Sequence, residues 1–556
     1  MNILRAVPFF IFAFAVLWYG ALVLRFPTAG AIGTDPATYV QMALDLAQRG
    51  TVVHEFPLFT KLFNQNLSWD AFITPGYHIV PETGFVAPNF AFGFPLLLAF
   101  AYRVFGENAL YWMTPLMGAL ALLATFALAN ELFRDVSPTC RDWIGALAAL
   151  LLATTPKQIQ LALVPMSDVP TQLFCVLAMW CAFRVVRETQ RVFDADAPSA
   201  AHATKTLWVL YAYVALCGLA LGIAYLMRHS ALVMLVPLAL VATRWGSTRR
   251  EKIFLLAVSL FVFAITIAPD IFYRAKVLGN PFVVESPESA QTNFYDAPRQ
   301  ILQMLAALFS VTGLGPLILF VPFGWWILAR EKNRFAAGVL AVWVLALMFL
   351  HAPLTLTGVF ENNLRYLIPA YPALALSASA ALVWIFGRAW KEMRATQTRF
   401  AKQALFVYAI ALFGIFALAI ALRAMPNPER FVLRAYGWMR ENARNDLRVL
   451  NEQLPPDAVI GVSDQMAGAT MLYAQREILR PNNFLEPARE FPQLLQEMKD
   501  EKRAVFLLGD WKCSALANAS EKLPNWLADY SFVQTRISIF DLPYECPQNL
   551  YKLEGE

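Results

Sequence analysis

The stretch Ala6–Leu24, AVPFFIFAFAVLWYGALVL, carries no charge. In a helix, about 20 such residues cross roughly 30 Å of hydrocarbon. Ala109–Asn130 and Ala404–Leu422 are at least as long and also charge-free. Across all 556 residues the chain is 58% hydrophobic and only 15% charged. Soluble proteins have roughly 25% charged residues. The chain therefore reads as a polytopic α-helical membrane protein. The apolar stretches predict about 11 spans, near 6–24, 109–130, 143–156, 169–186, 207–226, 229–243, 253–269, 311–329, 335–352, 366–387 and 404–422. The third and sixth are short.

Lys and Arg set an orientation. Arg5, Arg134, Arg141, Arg184, Arg187, Arg191 and Lys205 fall at alternate span ends, as do Arg244, Arg249, Arg250, Lys252, Arg330, Lys332, Arg334, Arg388, Lys391, Arg394, Arg399 and Lys402. Every turn on that side is basic, which is the positive-inside pattern. It predicts a plasma (inner) membrane protein with a cytoplasmic N-terminus. A long first loop, 25–108, and a tail, 425–556, then lie outside. The first stretch also resembles a signal peptide, with Arg5 as the basic start and Ala29-Gly30-Ala31 as a cleavage site. Its length favours an uncleaved span, and both readings leave the loop outside.

Two domains are expected, a transmembrane part over 1–424 and an extracytoplasmic α/β domain over 425–556. Pro426 and Pro428 end the last span. Beyond them, 458–462 and 504–508 are strand-like and 467–476 is helix-like. The tail shows no triad or metal cluster and reads as a docking or lid domain. The basic turns are short and contain no P-loop or GxGxxG run, which excludes a nucleotide-binding domain there. The net charge of +5 is small, and nucleic acid is not an expected partner. Cys140, Cys175, Cys181 and Cys217 lie in or beside spans and read as small buried side chains. Cys513 and Cys546, both in the outer tail, are expected to form a disulfide. No Cys or His spacing points to a metal, and no cofactor is expected.

The candidates for chemistry are charges on the outer side. Asp35 lies in Gly33-Thr34-Asp35-Pro36-Ala37-Thr38-Tyr39. It reads as an N-cap, with Pro36 at the first helical position. A carboxylate held ionised at a helix start can also accept a proton. Asp168, in Ser167-Asp168-Val169-Pro170, heads the fourth span in the same way. Arg228 and His229 form one outer turn, and Arg365 and Tyr366 open the tenth span. Snorkelling explains an arginine at a span end. Its planar fork equally suits a lipid-linked phosphate, so Arg228, Arg365, Tyr366 and His229 are kept as candidates for contact with donor phosphate. Lys157 is a weaker candidate of that kind. His54, Glu55, His78 and Glu82 read as loop residues, with His54 and Glu55 kept as candidates for an acceptor or second acidic site.

These residues resemble the C-type (GT-C) membrane glycosyltransferases that use polyprenyl-phosphate sugars. The similarity is to the protein O-mannosyltransferase and lipid A aminoarabinose transferase group. Four segments carry it: Thr34-Asp35-Pro36-Ala37-Thr38-Tyr39 with Ala43 and Gly50; Phe92-Gly93-Phe94-Pro95-Leu96-Leu97-Leu98-Ala99 with Phe105-Gly106; Ser167-Asp168-Val169-Pro170; and Arg365-Tyr366-Leu367-Ile368-Pro369. Their order and the α/β tail also match. The resemblance implies that Asp35 is the base activating the acceptor, and that Arg228 and Arg365 contact donor phosphate. Asp168 would fill a second acidic position. Members of the group often have Asp-Glu where this chain has Asp35-Pro36.

The expected function is transfer of a sugar from a polyprenyl-phosphate donor to an acceptor hydroxyl on a protein, lipid or glycan, with inversion. The alternatives are a transporter, an oligosaccharide ligase or polymerase on the same scaffold, and a noncatalytic scaffold. A transporter would carry charges inside mid-membrane helices, often in two related halves. This chain keeps its suggestive charges at span ends.

Overall fold

The computed structural model describes residues 3–62, 65, 67–80, 86–88, 90–193, 200–281, 293–331, 333–353, 363–395, 436–509, 522–539 and 548–554. The opening stretch forms α1 (Ile3–Arg25), followed by β1 (Gly30–Ala31), α2 (Thr34–Arg49) and α3 (Pro57–Leu62). A hairpin, β2 (Tyr77–Ile79) and β3 (Val86–Pro88), leads to α4 (Gly93–Phe105). The helical body continues with α5 (Ala109–Leu132), α6 (Pro138–Ala153), α7 (Pro156–Ala162), α8 (Asp168–Phe193), α9 (Ala200–Met227), α10 (Leu235–Ala242) and α11 (Arg249–Val277). It closes with α12 (Ala297–Phe309), α13 (Phe320–Arg330), α14 (Arg334–His351) and α15 (Tyr371–Ala395).

Among the described residues, seven helical segments are long and apolar enough to cross a membrane: Ala6–Arg25, Ala109–Leu132, Asp168–Arg191, Leu207–Met227, Arg249–Val277, Arg334–His351 and Leu364–Ala389. Three other expected spans form shorter helices. The segment near 143–156 becomes the 16-residue α6, while 229–243 and 311–329 are each divided between a 3-10 turn and a short α-helix. The span expected at 404–422 lies outside the described residues. Helix α11 runs well past the predicted end at 269, because Pro269 sits inside it without ending it. Neighbouring helices supply what a proline removes from an apolar helix. Packing is close where small residues allow it, as between α9 and α11. A Cβ on Gly218 would lie 2.1 Å from the carbonyl oxygen of Ser259.

The C-terminal part is an α/β domain. It contains β4 (Trp438–Met439), α16 (Glu441–Gln453), β5 (Val459–Val462), α17 (Asp464–Ala474), β6 (Glu477–Leu479), α18 (Pro487–Asp500), β7 (Val505–Leu508), β8 (Phe532–Ile539) and β9 (Gln548–Leu553). The main sheet has the order β6-β5-β7-β9-β8. Strands β5, β6 and β7 are parallel, and the helices between them provide the crossovers that parallel strands require. Strand β9 runs antiparallel to β7 and β8.

This domain is fastened to the segments around α2 and α5. Helix α17 packs on α2. Arg480 donates to the carbonyls of Asp70 and Ile73 at 3.2 and 3.0 Å. Arg448 reaches both oxygens of Glu107, just before α5, at 2.5 and 2.6 Å. The far end of α5 is basic instead. Glu131 there holds Arg184 at 2.8 Å and Arg187 at 3.0 Å, both on α8. The two ends of the helical body therefore differ, one covered by the α/β domain and the other lined with arginine.

Candidate active site

Helix α2 starts two residues earlier than its sequence predicts. The N-cap is Gly33, with φ 82°, and Asp35 lies inside the first turn. An L side chain disfavours that φ, so the glycine takes the cap and Thr34-Asp35-Pro36 become helical. Pro36 is tolerated there because a first-turn N–H has no partner within the helix. The carboxylate of Asp35 is thereby held at the helix start, at the covered end of the body.

Four distant segments meet at this point. Arg365, in the 3-10 segment Leu364–Ala370, pairs through Nη1 with Asp35 Oδ2. Arg228, just after α9, pairs through Nη1 with Asp168 Oδ1 at the start of α8. Tyr366 links the two pairs. Its ring centroid lies 4.7 Å from the Arg228 guanidinium carbon and 5.0 Å from that of Arg365. Arg365 also donates to the Tyr366 hydroxyl at 3.0 Å. Tyr39, one turn beyond Asp35, shares a 2.8 Å hydrogen bond with Ser167, beside Asp168. Burial raises the pKa of the Tyr39 phenol, and the charge of Asp35 adds to that shift. The site thus holds two cations and two anions around one aromatic ring.

The other predicted residues fall elsewhere. His229 follows Arg228 in sequence but faces a second buried cluster. Its Nε2 lies 3.3 Å from Asp270 Oδ2 and 2.7 Å from Arg274 Nη2. Arg274 Nε in turn holds Asp270 at 2.9 Å, and Tyr225 donates to the same oxygen at 3.3 Å. His229, expected to contact donor phosphate, has Asp270 and Arg274 as neighbours in this network. The signal for the network is the Asp270 and Arg274 pair, four residues apart on one helix face. Lys157 is buried on α7, a helix that packs against the 3-10 segment bearing Arg365.

His54 and Glu55 line a different feature, a cavity of about 330 Å³ between α2, the segment after it and α17–β6. His54 Nδ1 is 2.9 Å from the buried Asp45, and Glu55 pairs with Arg49 at 3.3 Å. Gln41, Leu44 and Gln48 form the α2 side of that cavity. At about 100° per residue they lie roughly 180–240° around the helix from Asp35. His54 and Glu55 are therefore set apart from the Asp35 cluster by α2 itself. Glu82, Cys513 and Cys546 lie outside the described residues.

Sequence reasoning missed Tyr436. Its hydroxyl accepts a hydrogen bond from the Asp35 backbone N–H at 3.2 Å. The two residues are 401 positions apart, and no local pattern announces the contact.

No protein-family model and no curated protein matches the chain. Solved structures do. ArnT from Cupriavidus metallidurans bound to undecaprenyl phosphate aligns over 98% of this chain and 97% of its own, with a TM-score of 0.56 and 16% identity. Its apo form gives a TM-score of 0.55 at 14% identity, over 98% of this chain and 97% of its own. The archaeal oligosaccharyltransferase AglB from Archaeoglobus fulgidus, in complex with an inhibitory peptide and a dolichol-phosphate, aligns over 91% of this chain and 70% of its own, with a TM-score of 0.55 and 14% identity. At these identities the likeness is one of fold. The chain has the GT-C fold, a helical membrane body joined to a C-terminal domain that contains a sheet.

Proposed function

We propose that this protein is a glycosyltransferase that moves a sugar from a polyprenyl-phosphate donor to an acceptor hydroxyl. The observation that carries the reading is the meeting of two arginine–carboxylate pairs on one tyrosine ring, at the ends of apolar helices. Planar guanidinium forks match phosphate oxygens in pairs. The complexes of similar fold with undecaprenyl phosphate and dolichol-phosphate support a donor of this class.

The reaction follows from the charges. The acceptor oxygen forms a bond to the anomeric carbon as the bond from that carbon to the phosphate oxygen breaks. The phosphate leaves with the electron pair and gains negative charge, which Arg228 and Arg365 stabilise where it develops. The acceptor proton passes to Asp35. Direct displacement inverts the anomeric centre, by analogy with two-sided carboxylate chemistry. Without donor, Arg365 is held by Asp35. A donor phosphate competes for that arginine, so donor binding releases the carboxylate to act as a base. On this reading the site faces the extracytoplasmic side of the inner membrane, the side free of the basic turns.

The test is mass analysis of cell-surface glycoconjugates with and without the protein, paired with binding of undecaprenyl phosphate to the purified chain. The expected result is one sugar increment that depends on the protein, and donor-lipid binding that is lost in Arg365→Ala. Solute uptake into vesicles that tracks the protein, with no covalent product, would overturn the proposal.

A further inference from the structure

The first turn of α2 is capped in an unusual way. The first four N–H groups of a helix lack partners inside it. A Ser, Thr, Asp or Asn side chain at the N-cap commonly satisfies one of them. Gly33 has no side chain to offer. The N–H of Asp35 is bonded instead to Tyr436 of the C-terminal domain at 3.2 Å. The Tyr436 ring lies against the cap, where a Cβ on Gly33 would be 2.8 Å from its Cε2 atom. The Gly33 N–H reaches the carbonyl of Gln465 at 3.1 Å. Strand β1 pairs with β4, placing Gly30 opposite Met439 and Ala31 opposite Trp438. Gly437, with φ 91°, fits so closely that a Cβ would lie 2.3 Å from Pro36 Cγ. Pro36, the departure from Asp-Glu, thus forms part of this junction. The C-terminal domain clasps the helix start that bears Asp35.

We infer that Tyr436 is a positioning residue for the transfer reaction, capping α2 from the C-terminal domain and so setting the Asp35 carboxylate. The inference rests on reading Asp35 as the base. It makes the C-terminal domain part of the active centre rather than a lid over it.

Tyr436→Phe in the full chain keeps the ring and removes only the oxygen. Its kcat should fall about tenfold, as small misplacements of reacting groups do. Acceptor KM and binding of undecaprenyl phosphate should stay within about twofold, because no donor or acceptor contact is removed. Hydrogen exchange of the Asp35 amide should speed up. Tyr473→Phe is the control. The Tyr473 hydroxyl docks the same domain by accepting from the Ala31 N–H at 2.7 Å, but the bond lies four residues before Asp35. That variant should keep its kcat. Equal losses in the two variants would reduce Tyr436 to a docking contact and overturn the inference, as would wild-type turnover in Tyr436→Phe. Full activity in Asp35→Asn would instead remove the reading beneath it, so the two failures are distinguishable.

Discussion

The two carboxylates of the site have the same partner type and opposite surroundings. The Asp35 side chain is 15% exposed, whereas that of Asp168 is 1% exposed. Asp35 lies at a seam between α2 and the C-terminal domain. Asp168 is enclosed by the helical body, and among the described residues its Oδ2 has no hydrogen-bond partner. A group that exchanges a proton with substrate needs access, and a group that only holds an arginine does not. On the proposed reading, burial separates a base from an anchor, although both are aspartates at helix starts facing arginine. The difference also fits the positions of the arginines, since each is fixed by its own carboxylate and both share Tyr366.

The largest expected effect tests this division directly. Asp35→Asn should lower kcat by about 10³, within the usual range for loss of a general base. Binding of undecaprenyl phosphate should be unchanged or tighter, because Arg365 is freed. Asp168→Asn should do the reverse. It leaves Arg228 without its buried counter-charge, which costs about 3 kcal/mol of stability when one partner of a buried pair is removed. Donor binding should fall with it, as read by lipid binding and a thermal melt. An Asp168→Asn protein with normal melting and normal binding, but low kcat, would erase the distinction.

A smaller effect concerns the arginines. Arg365→Lys keeps the charge but loses the fork and the broad face over Tyr366. Donor affinity should fall about tenfold, comparable to one charged hydrogen bond. If Arg228→Lys gives the same loss, both arginines bind phosphate. If only Arg365→Lys does, Arg228 is structural and the site is less symmetric than its geometry.

Much of this was legible from composition and local pattern. Charge-free runs locate α1 and α5, because crossing hydrocarbon demands length and apolar character in the sequence itself. Asp35-Pro36, read as a helix start, locates the beginning of α2 to within two residues. Asp168, Arg228 and Arg365 stand out as charges at span ends on the side away from the basic turns, and Asp35 as a carboxylate at a helix start. Other features depend on contacts between distant segments. His229 joins the cluster of Asp270 and Arg274, which offer it buried partners from a distant helix. Asp35 is not the cap because Gly33 adopts the positive φ that the junction with Tyr436 and Gln465 requires. Tyr436 itself sits in Tyr436-Gly437-Trp438, which has no distinguishing pattern. Its contact with Asp35 arises only when β4 is placed beside β1.

The smallest effect separates the seam from the interior by pH. The seam around Asp35 is built with phenols. Burial pushes the Tyr473 phenol up to about 12, and burial also raises Tyr436, with the charge of Asp35 adding to it. An unfolded tyrosine ionises near 10. Above about pH 10 the unfolded chain therefore loses phenolic protons that the folded chain retains, and the unfolded state is favoured. The stabilisation is complete below that pH and is lost as pH rises through the folded value. Melting temperature should accordingly be flat in this respect from about pH 7 to 9 and fall between about 10 and 12. Tyr473→Phe removes one such proton. Its alkaline slope should be shallower by up to about 1.4 kcal/mol per pH unit, even though its neutral stability is lower for want of the hydrogen bond to Ala31. An unchanged slope would mean that Tyr473 is solvated in the folded protein and that the seam is open.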